Sequence, residues 1–246
     1  RLDYALLLPD TSWETVPLGV FTVAEAERRA GFVSLKAYDN LVKLDTRYDG
    51  SVLAGTAYEI LRQIAENCGL ALGQTAAEIA ALNPNAALSR QLDATYNVDT
   101  WRDCAAAVAQ LLGGFATVDR SGQLVVRTFA AAPCRTLDKT ARSKTAVADY
   151  LCRCTALVLE LQNGTAVSTA DPDDGLTLTV TDFPLAENGL PATRQSICDN
   201  LFAALQTLAY TPAEVRLPGD PALDLGDRLV LPMADGTAPE MLITHT

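Results

Sequence analysis

Few residues of this chain combine the type and the spacing that catalysis requires. His245 is the only histidine in the sequence, so any Ser–His–Asp or Cys–His site would depend on it. No nucleophile elbow surrounds it, and a single histidine also argues against a mixed Cys/His zinc site. The sequence therefore predicts a structural or merely terminal role for His245, and it predicts no catalytic residue.

The cysteines are scattered and form no ligand motif. Most lie in apolar periodic segments, which favours reduced, buried thiols; they stand at positions 68, 104, 134, 152, 154 and 198. Cys152 and Cys154 would point to the same face of a strand, where they could oxidise or bind a soft metal. Because no second pair stands at ligand spacing, buried or incidental thiols are favoured and no metal site is predicted.

One acidic loop superficially resembles a calcium-binding loop. Asp171, Asp173 and Asp174 precede Gly175, but this glycine comes one residue early and no glutamate closes the loop. A solvated turn is favoured, with adventitious calcium as the alternative. The thirty acidic residues contain no paired-carboxylate motif that rises above background. We therefore predict no metal and no cofactor.

Two tryptophans are candidates for partner contacts, since aromatic anchors are common at interfaces. Trp101 shares a helix face with Cys104 and Val108, which favours a core position. Trp13 lies in the polar segment of residues 9–14, where exposure and burial are equally expected. A partner contact through Trp13 is therefore a hypothesis.

Composition limits the classes of function. The net charge is −11 and the sequence pI is near 4.5, so nucleic-acid binding through a basic patch is not expected. Apolar residues make up 49% of the chain, enough for a substantial core. The longest apolar runs are far shorter than the roughly 20 residues that cross a bilayer, so no membrane insertion is expected. The sequence begins with Arg1 instead of methionine, and we expect flanking segments beyond it.

The first 45 residues carry strand patterns. Apolar runs at residues 3–8, 18–23 and 32–37 predict three strands, with a turn at residues 28–31 before the third. Residues 24–29 also have helix propensity, so a helix is the alternative there.

Residues 45–99 change to helical periodicity. Thr56 and Glu59 form a capping-box pattern that opens a helix over residues 57–68, and Gly69 follows at the C′ position. A second capping box, Thr75 and Glu78, predicts a short helix that stops at residues 83–84.

A third helix, capped by Thr100, is predicted over residues 101–112. Gly113 and Gly114 follow this helix, which is the wrong polarity for cradling a phosphate. They indicate a C-cap with close backbone packing. A hairpin is predicted next, with strands at residues 115–119 and 123–129.

The last part of the chain is rich in turns and strands. Residues 130–145 are polar and turn-rich, which predicts a linker. Further predictions are strands at residues 155–162, 165–169 and 176–183, a helix at 191–210, and a Pro/Gly-rich turn with a hairpin over 217–243.

Several stretches resemble a known family. The spacing GDPALDLGDR, within residues 217–243, resembles the last barrel segment of the phage tail-tip or baseplate hub family. The segment LGVFTVAEAERRAGFVSLKAYDN (residues 18–40) is similar to the hairpin that leaves the first barrel of that family. Two further segments resemble the helical subdomain of that family: YEILRQIAENCGL (residues 58–70) and TWRDCAAAVAQLLGGFATVDRSGQLVV (residues 100–126). Together, the similar stretches extend over most of the chain.

The resemblance implies an α+β fold with two β-barrel-like segments flanking a helical α/β subdomain. Residues 1–45 would form the first β-barrel segment, which we expect to be truncated at Arg1. Residues 46–129 would form the helical subdomain with its C-terminal β-hairpin, and residues 130–246 the second β-barrel segment with one long helix. No repeat is visible between residues 1–45 and 150–246, so a relation between the two barrels rests on the resemblance alone.

The same resemblance implies a function. The protein would be a non-enzymatic structural component of a phage or prophage tail tip or baseplate hub, made in the bacterial cytoplasm and located in the virion tail. Three copies would surround a central channel, contact the tail tube and distal tail proteins, and let DNA pass without specific binding. Two alternatives remain: a host-surface carbohydrate-binding module, which needs exposed aromatic residues on one sheet face, and the non-catalytic part of a tail-associated cell-wall hydrolase.

Overall fold

Two structural units make up the chain, which the computed structural model describes over residues 1–171, 174–187 and 189–244. The first unit consists of Arg1–Gln110 and Phe115–Val126. The second consists of Leu111–Gly114 and Arg127–Thr246.

The first unit begins with two β-hairpins and continues with helices and short strands. Its strands are β1 (Leu2–Leu7), β2 (Trp13–Gly19), β3 (Phe21–Arg29), β4 (Phe32–Asp39), β5 (Leu53–Gly55) and β6 (Arg90–Leu92), and β7 (Gly114–Val118) and β8 (Leu124–Thr128) follow its last helix. Its helices are α1 (Ala57–Asn67), α2 (Ala76–Leu82) and α3 (Trp101–Leu111), with 3₁₀ turns at Asn40–Asp45 and Pro84–Ala87. The sheets are two-stranded: β1–β2, β3–β4, β5–β6 and β7–β8.

The strand prediction for residues 1–45 is confirmed, and no helix forms over residues 24–29. Residues 25–29 instead pair antiparallel with β4, with Ala26 opposite Leu35 and Arg29 opposite Phe32. The turn between the strands uses Gly31 at φ +92, a conformation that glycine adopts without strain. Cross-strand packing against β-favouring residues outweighs the helix propensity of the Ala/Glu/Arg segment.

The three predicted helices of the first unit are confirmed at their N-termini. In α1, Glu59 N donates to Thr56 Oγ1 at 3.4 Å and Thr56 N donates to Glu59 Oε2 at 2.8 Å. The same reciprocal pair opens α2. At α3 an aspartate takes the place of the glutamate, since Thr100 N donates to Asp103 Oδ2 at 2.9 Å. Local hydrogen bonds of this kind satisfy the free N–H groups of a first turn.

The buried apolar residues of the first unit come mainly from its helices and from β5, β6 and β8. Fully buried members include Leu53, Ile60, Leu61, Ile64, Ile79, Leu92, Val108 and Leu124. Trp101 is also buried and contacts Tyr48 edge-on, with ring centroids 4.9 Å apart. The predicted core position of Trp101 is therefore confirmed.

The second unit is built on short sheets and one long helix. Its strands are β9 (Pro133–Thr136), β10 (Lys144–Val147), β11 (Cys152–Leu161), β12 (Gly164–Thr169), β13 (Leu176–Val180), β14 (Ala209–Tyr210), β15 (Ala213–Arg216), β16 (Arg228–Val230) and β17 (Glu240–Leu242). Its helices are α4 (Pro184–Glu187) and α5 (Pro191–Leu205), with a 3₁₀ turn at Lys139–Ala141.

Strand β11 is the centre of the largest sheet, in the order β12–β11–β13, and it also pairs with β14. It runs antiparallel to β12 and parallel to β13. Helix α5 packs against β11 and β12. A second sheet has the order β9–β16–β17, and β10 pairs with β15. Leu137, Leu229, Leu231 and Met241 form a buried cluster in this unit.

The prediction of a linker over residues 130–145 is wrong. This segment contains β9 and the start of β10. Strand β9 pairs in parallel with β16, and β10 pairs antiparallel with β15. The prediction missed these strands because the segment is polar and its pairing partners lie about 70 to 95 positions later in the chain.

The last predicted helix is confirmed but ends earlier than expected. Helix α5 stops at Leu205 instead of residue 210, because Ala209 and Tyr210 pair with Arg153 and Cys152 of β11. The backbone N–H and C=O groups of residues 209–210 form hydrogen bonds in the sheet instead of in a longer helix. Strand β13 likewise ends at Val180, before the predicted residue 183.

The α+β class is confirmed, whereas the predicted β-barrel-like segments are not. Within residues 1–171, 174–187 and 189–244, the strands form sheets of two to four strands and no closed barrel. Closure requires every strand to pair on both edges. Strands β1 to β4 each pair on one edge only.

The predicted glycine C-cap with close packing is confirmed. Gly113 has φ +72, as expected for a helix C-cap. A Cβ on Gly114 would lie 2.1 Å from the backbone oxygen of Arg127. No side chain fits at this position unless the backbone moves.

We expect Gly114→Ala to lower the free energy of unfolding by about 2 kcal/mol or more, because overpacking against backbone cannot be relieved by a rotamer change. Gly219→Ala is the matched control, since nothing lies within 4 Å of its Cβ position; it should be neutral or slightly stabilising. Chemical denaturation followed by circular dichroism measures both. Equal stabilities of the two variants would contradict the close approach at Gly114.

Candidate functional site

The candidate metal-binding residues that the structure describes do not form a common site. His245 and Asp173 lie outside the described residues, so their predicted roles stay predictions. Asp174 forms an ion pair with Arg153, which agrees with a solvated turn for the described part of that loop. In the described ranges, no three His, Cys, Asp or Glu side chains form a group that could hold a metal ion.

All six cysteines are free thiols. Cys104 and Cys198 are buried as predicted, but Cys134 is exposed on β9, which corrects the expectation of buried thiols at that position. Burial raises the pKa of Cys104 to about 12 and also raises the pKa of Cys154 and Cys198. These three thiols stay protonated near neutral pH and are poor nucleophiles.

An open cavity of about 570 Å³ lies in the second unit. Its lining includes Val147, Tyr150, Leu151 and Met233, with the carboxylates of Asp149 and Asp235. No histidine, cysteine, lysine or arginine of the described part contributes to it. The cavity therefore offers apolar surface together with carboxylate groups and the hydroxyl-bearing residues Tyr150, Thr211 and Thr237.

The most unusual surface belongs to the hairpins β1–β2 and β3–β4, called here the N-terminal hairpins (residues 2–39). Nearly every residue of β1, β3 and β4 is exposed, on both strand faces. Twelve of the 21 large hydrophobic side chains that are exposed in the described part of the chain lie here. They are Leu2, Tyr4, Leu6, Leu7, Trp13, Leu18, Phe21, Val23, Phe32, Val33, Leu35 and Tyr38.

Cross-strand pairs place these apolar side chains on both faces of each hairpin. Leu7 lies opposite Trp13 on one face of β1–β2, while Tyr4 lies opposite Val16 on the other. Trp13 is 67% exposed, so its side chain is available for a partner contact. Polar contacts on the second hairpin are few and exposed, such as the ion pair of Lys36 with Glu25 at 3.3 Å.

The base of the N-terminal hairpins is held by the turn between β7 and β8. Asn40 Nδ2 donates to Gly122 O at 2.8 Å, and a Cβ on Gly122 would lie 3.0 Å from Val20 Cβ. Arg120 Nη1 donates to Pro17 O at 3.5 Å. The hairpins are therefore anchored where they join the rest of the first unit, while their strands stay uncovered.

A hairpin with apolar residues exposed on both faces is typical of an interaction site. A two-stranded hairpin is at best marginally stable by itself in water, and contiguous exposed apolar surface marks interaction sites. The sequence pattern predicted the strands but not the solvent exposure of both of their faces. The available signal was the mixture of apolar residues at odd and even positions in residues 2–7 and 32–38, without the alternation of a one-sided sheet.

No helix in the described part of the chain is long and apolar enough to span a membrane.

Comparison with known proteins identifies relatives in fold. No family model and no curated protein matches the sequence. The tail protein from Neisseria meningitidis MC58 is similar in structure, with a TM-score of 0.56 and 14% identity over 93% of this chain and 74% of that one. The 43 kDa tail protein of prophage MuSo2 from Shewanella oneidensis is similar at a TM-score of 0.48 and 13% identity over 89% and 72% of the two chains. The predicted resemblance to tail proteins is thus confirmed at the level of the fold, without its assignment to the hub: this chain shares the fold of the tail protein from Neisseria meningitidis.

Proposed function

We propose that this chain is a structural component of a phage or prophage tail, located at the tail tip or baseplate hub, and that copies assemble through the N-terminal hairpins. The observation that carries the proposal is the apolar surface on both faces of these hairpins. The fold shared with a tail protein supports the setting.

A second copy of this chain is a suitable partner for the hairpins because they are nearly neutral. Residues 1–39 carry four basic and six acidic residues, whereas the whole chain carries 19 and 30. Most of the net charge of −11 therefore lies elsewhere. Copies that meet through the hairpins bury apolar surface without bringing strongly acidic surfaces into contact.

In this proposal three copies form a ring around a central channel. The hairpins of neighbouring copies complete the β-barrel-like segments that a single chain lacks. The acidic remainder of the surface repels phosphate, so DNA passes through the channel without specific binding. Contacts with the tail tube and with distal tail proteins are made by faces of the ring, and the protein resides in the virion tail.

The aromatic residues of the hairpins favour protein association over glycan binding. A carbohydrate platform needs aromatic rings on one sheet face, but Tyr4 and Trp13 lie on opposite faces of β1–β2. Both faces of a hairpin can be covered when it is enclosed by protein neighbours. The proposed role is structural and requires no catalytic group.

The test is the oligomeric state of the chain and the shape of its particles. We expect analytical ultracentrifugation to give a trimer and negative-stain electron microscopy to show a threefold ring with a central hole. The same preparation is examined with the tail tube protein added. A chain that stays monomeric even while the tube protein assembles would contradict the proposal.

A further inference from the structure

The open strand edges of the chain differ in how they are protected. An open edge presents unpaired backbone N–H and C=O groups, and proteins usually blunt it with charged residues, proline or a covering group. Among the described strands of five or more residues that pair on one edge, β13 is exposed and contains no charged residue and no proline. Strand β1 is also exposed, and its single charge, Asp3, is the second residue, so residues 4–7 form an uncharged run. Strand β7 is half-buried and β8 contains Arg127.

The other strands of the N-terminal hairpins are blunted. Strand β2 contains Pro17, which cannot donate a hydrogen bond. Strand β3 ends in the charged run of residues 25–29, and β4 contains Lys36. Strand β1 has one charged residue, Asp3, and no proline. Its free edge is therefore competent to pair with another strand.

In the sheet β12–β11–β13, one edge is covered and the other is open. At β12, Gln195 Nε2 donates to Val167 O at 2.8 Å, and Val167 N donates to Gln195 Oε1 at 3.4 Å. This side chain from α5 occupies the backbone groups of the β12 edge. Strand β13 pairs only with β11 and contains no charged residue and no proline.

The side chains of β13 also lack a cover. Leu178 pairs with Leu157 and Val180 with Leu159 across the sheet, and both β11 partners are buried. Helix α5 packs against β11 and β12, whereas Leu176 and Leu178 remain 56% and 45% exposed. The apolar face of the sheet thus continues past the helix and ends at an open edge.

We propose that β1 of one copy pairs with β13 of a neighbouring copy and extends that sheet to the order β12–β11–β13–β1. This inference rests on the proposed assembly of copies. The two strands have similar lengths, six and five residues. Each gains main-chain hydrogen bonds, and leucine and tyrosine side chains of β1 cover Leu176 and Leu178.

The proposed symmetry requires two different surfaces. A threefold ring is built from heterologous contacts, in which one patch of each copy meets a different patch of the next. Pairing of β1 with β1, or of β13 with β13, would be isologous and would close a dimer. Strands β1 and β13 belong to different units of the chain, so each copy offers both halves of one contact.

A photo-cross-linking residue in β1 tests the pairing. Tyr4 is replaced by p-benzoylphenylalanine, which keeps an exposed aromatic side chain, and ¹⁵N-labelled and unlabelled copies are mixed before irradiation. We expect mass spectrometry to find residue 4 linked to residues 176–180 of a different copy. The same photoreactive residue at Tyr150, which is exposed in the second unit, should not link to that segment.

Two lysine variants complete the experiment. Leu178→Lys should abolish the cross-link and raise the dissociation constant of the oligomer about tenfold or more, because a buried lysine blunts the edge. Val167→Lys, on the edge already covered by Gln195, should change neither. An oligomer whose residue 4 links to β1 or to another strand would overturn the pairing while the proposed assembly stands. The absence of any oligomer would overturn both.

Discussion

The triple variant Trp13→Thr, Val33→Thr, Leu35→Thr is expected to remain monomeric at concentrations where the unchanged chain assembles. The three side chains are 67%, 58% and 60% exposed in the single chain, so their removal should leave its fold intact. Threonine keeps a high β propensity at each position. Burial of one large apolar side chain contributes roughly 1.5–3 kcal/mol. The three changes together should raise the Kd by about a thousandfold or more, because each 1.4 kcal/mol corresponds to about a factor of ten.

Sedimentation velocity over a concentration series measures this effect. The matched control carries the same number of changes at exposed apolar positions outside the N-terminal hairpins: Val52→Thr, Leu151→Thr and Leu190→Thr. The control should assemble like the unchanged chain. Assembly of the hairpin variant with unaltered affinity would show that the hairpins are not the contact surface, whatever the oligomer looks like.

The second large effect is expected at a buried arginine of the second unit. Arg228 is 6% exposed; it forms an ion pair with Glu240 and donates to Ala131 O at 2.8 Å and to Ala209 O at 3.0 Å. One guanidinium thus joins β16, β17, β14 and the segment before β9. Arg228→Ala should lower the free energy of unfolding of this unit by about 3–5 kcal/mol, because it leaves carbonyl groups unpaired and opens a cavity.

Hydrogen exchange at β9 and β14 is a suitable measurement, since both tryptophans lie in the first unit and their fluorescence does not report on the second. Arg135→Ala is the control, because Arg135 and Asp220 form a solvent-exposed ion pair and such pairs contribute about 1 kcal/mol or less. Equal effects of Arg228→Ala and Arg135→Ala would contradict the bridging role of Arg228.

The first turns of helices α1 and α2 could be predicted from local residues alone. Thr56 with Glu59, and Thr75 with Glu78, satisfy backbone groups of the same helical turn, so their effect does not depend on the rest of the fold. The glycines after α3 and the turns of the hairpins are local in the same sense. The prediction that the chain has no catalytic residue also came from composition, since the sequence contains one histidine and no paired-carboxylate motif above background.

The strands β9 and β10 depended on the tertiary structure. Their partners, β16 and β15, lie far along the chain, and strand formation requires a partner whose identity no local window contains. The same reason explains the early end of α5, where pairing of residues 209–210 with β11 outweighs helix propensity. The predicted barrels are not confirmed because closure requires every strand to pair on both edges, whereas strands β1 to β4 each pair on one edge only.

Some features of the candidate interaction surface were predicted from the sequence, whereas others were visible only in the folded structure. Local sequence patterns predicted strands rich in apolar side chains within the first 45 residues, and they led to the hypothesis of a partner contact through Trp13. It was the folded structure that showed β1, β3 and β4 to be exposed, with no other described element of the first unit covering them. The folded structure also showed that Gln195 covers one edge of the β11 sheet, while the β13 edge stays open. Burial is a relation between segments distant in sequence, so the hydrophobic pattern of a strand does not reveal whether its cover belongs to the same chain or to another.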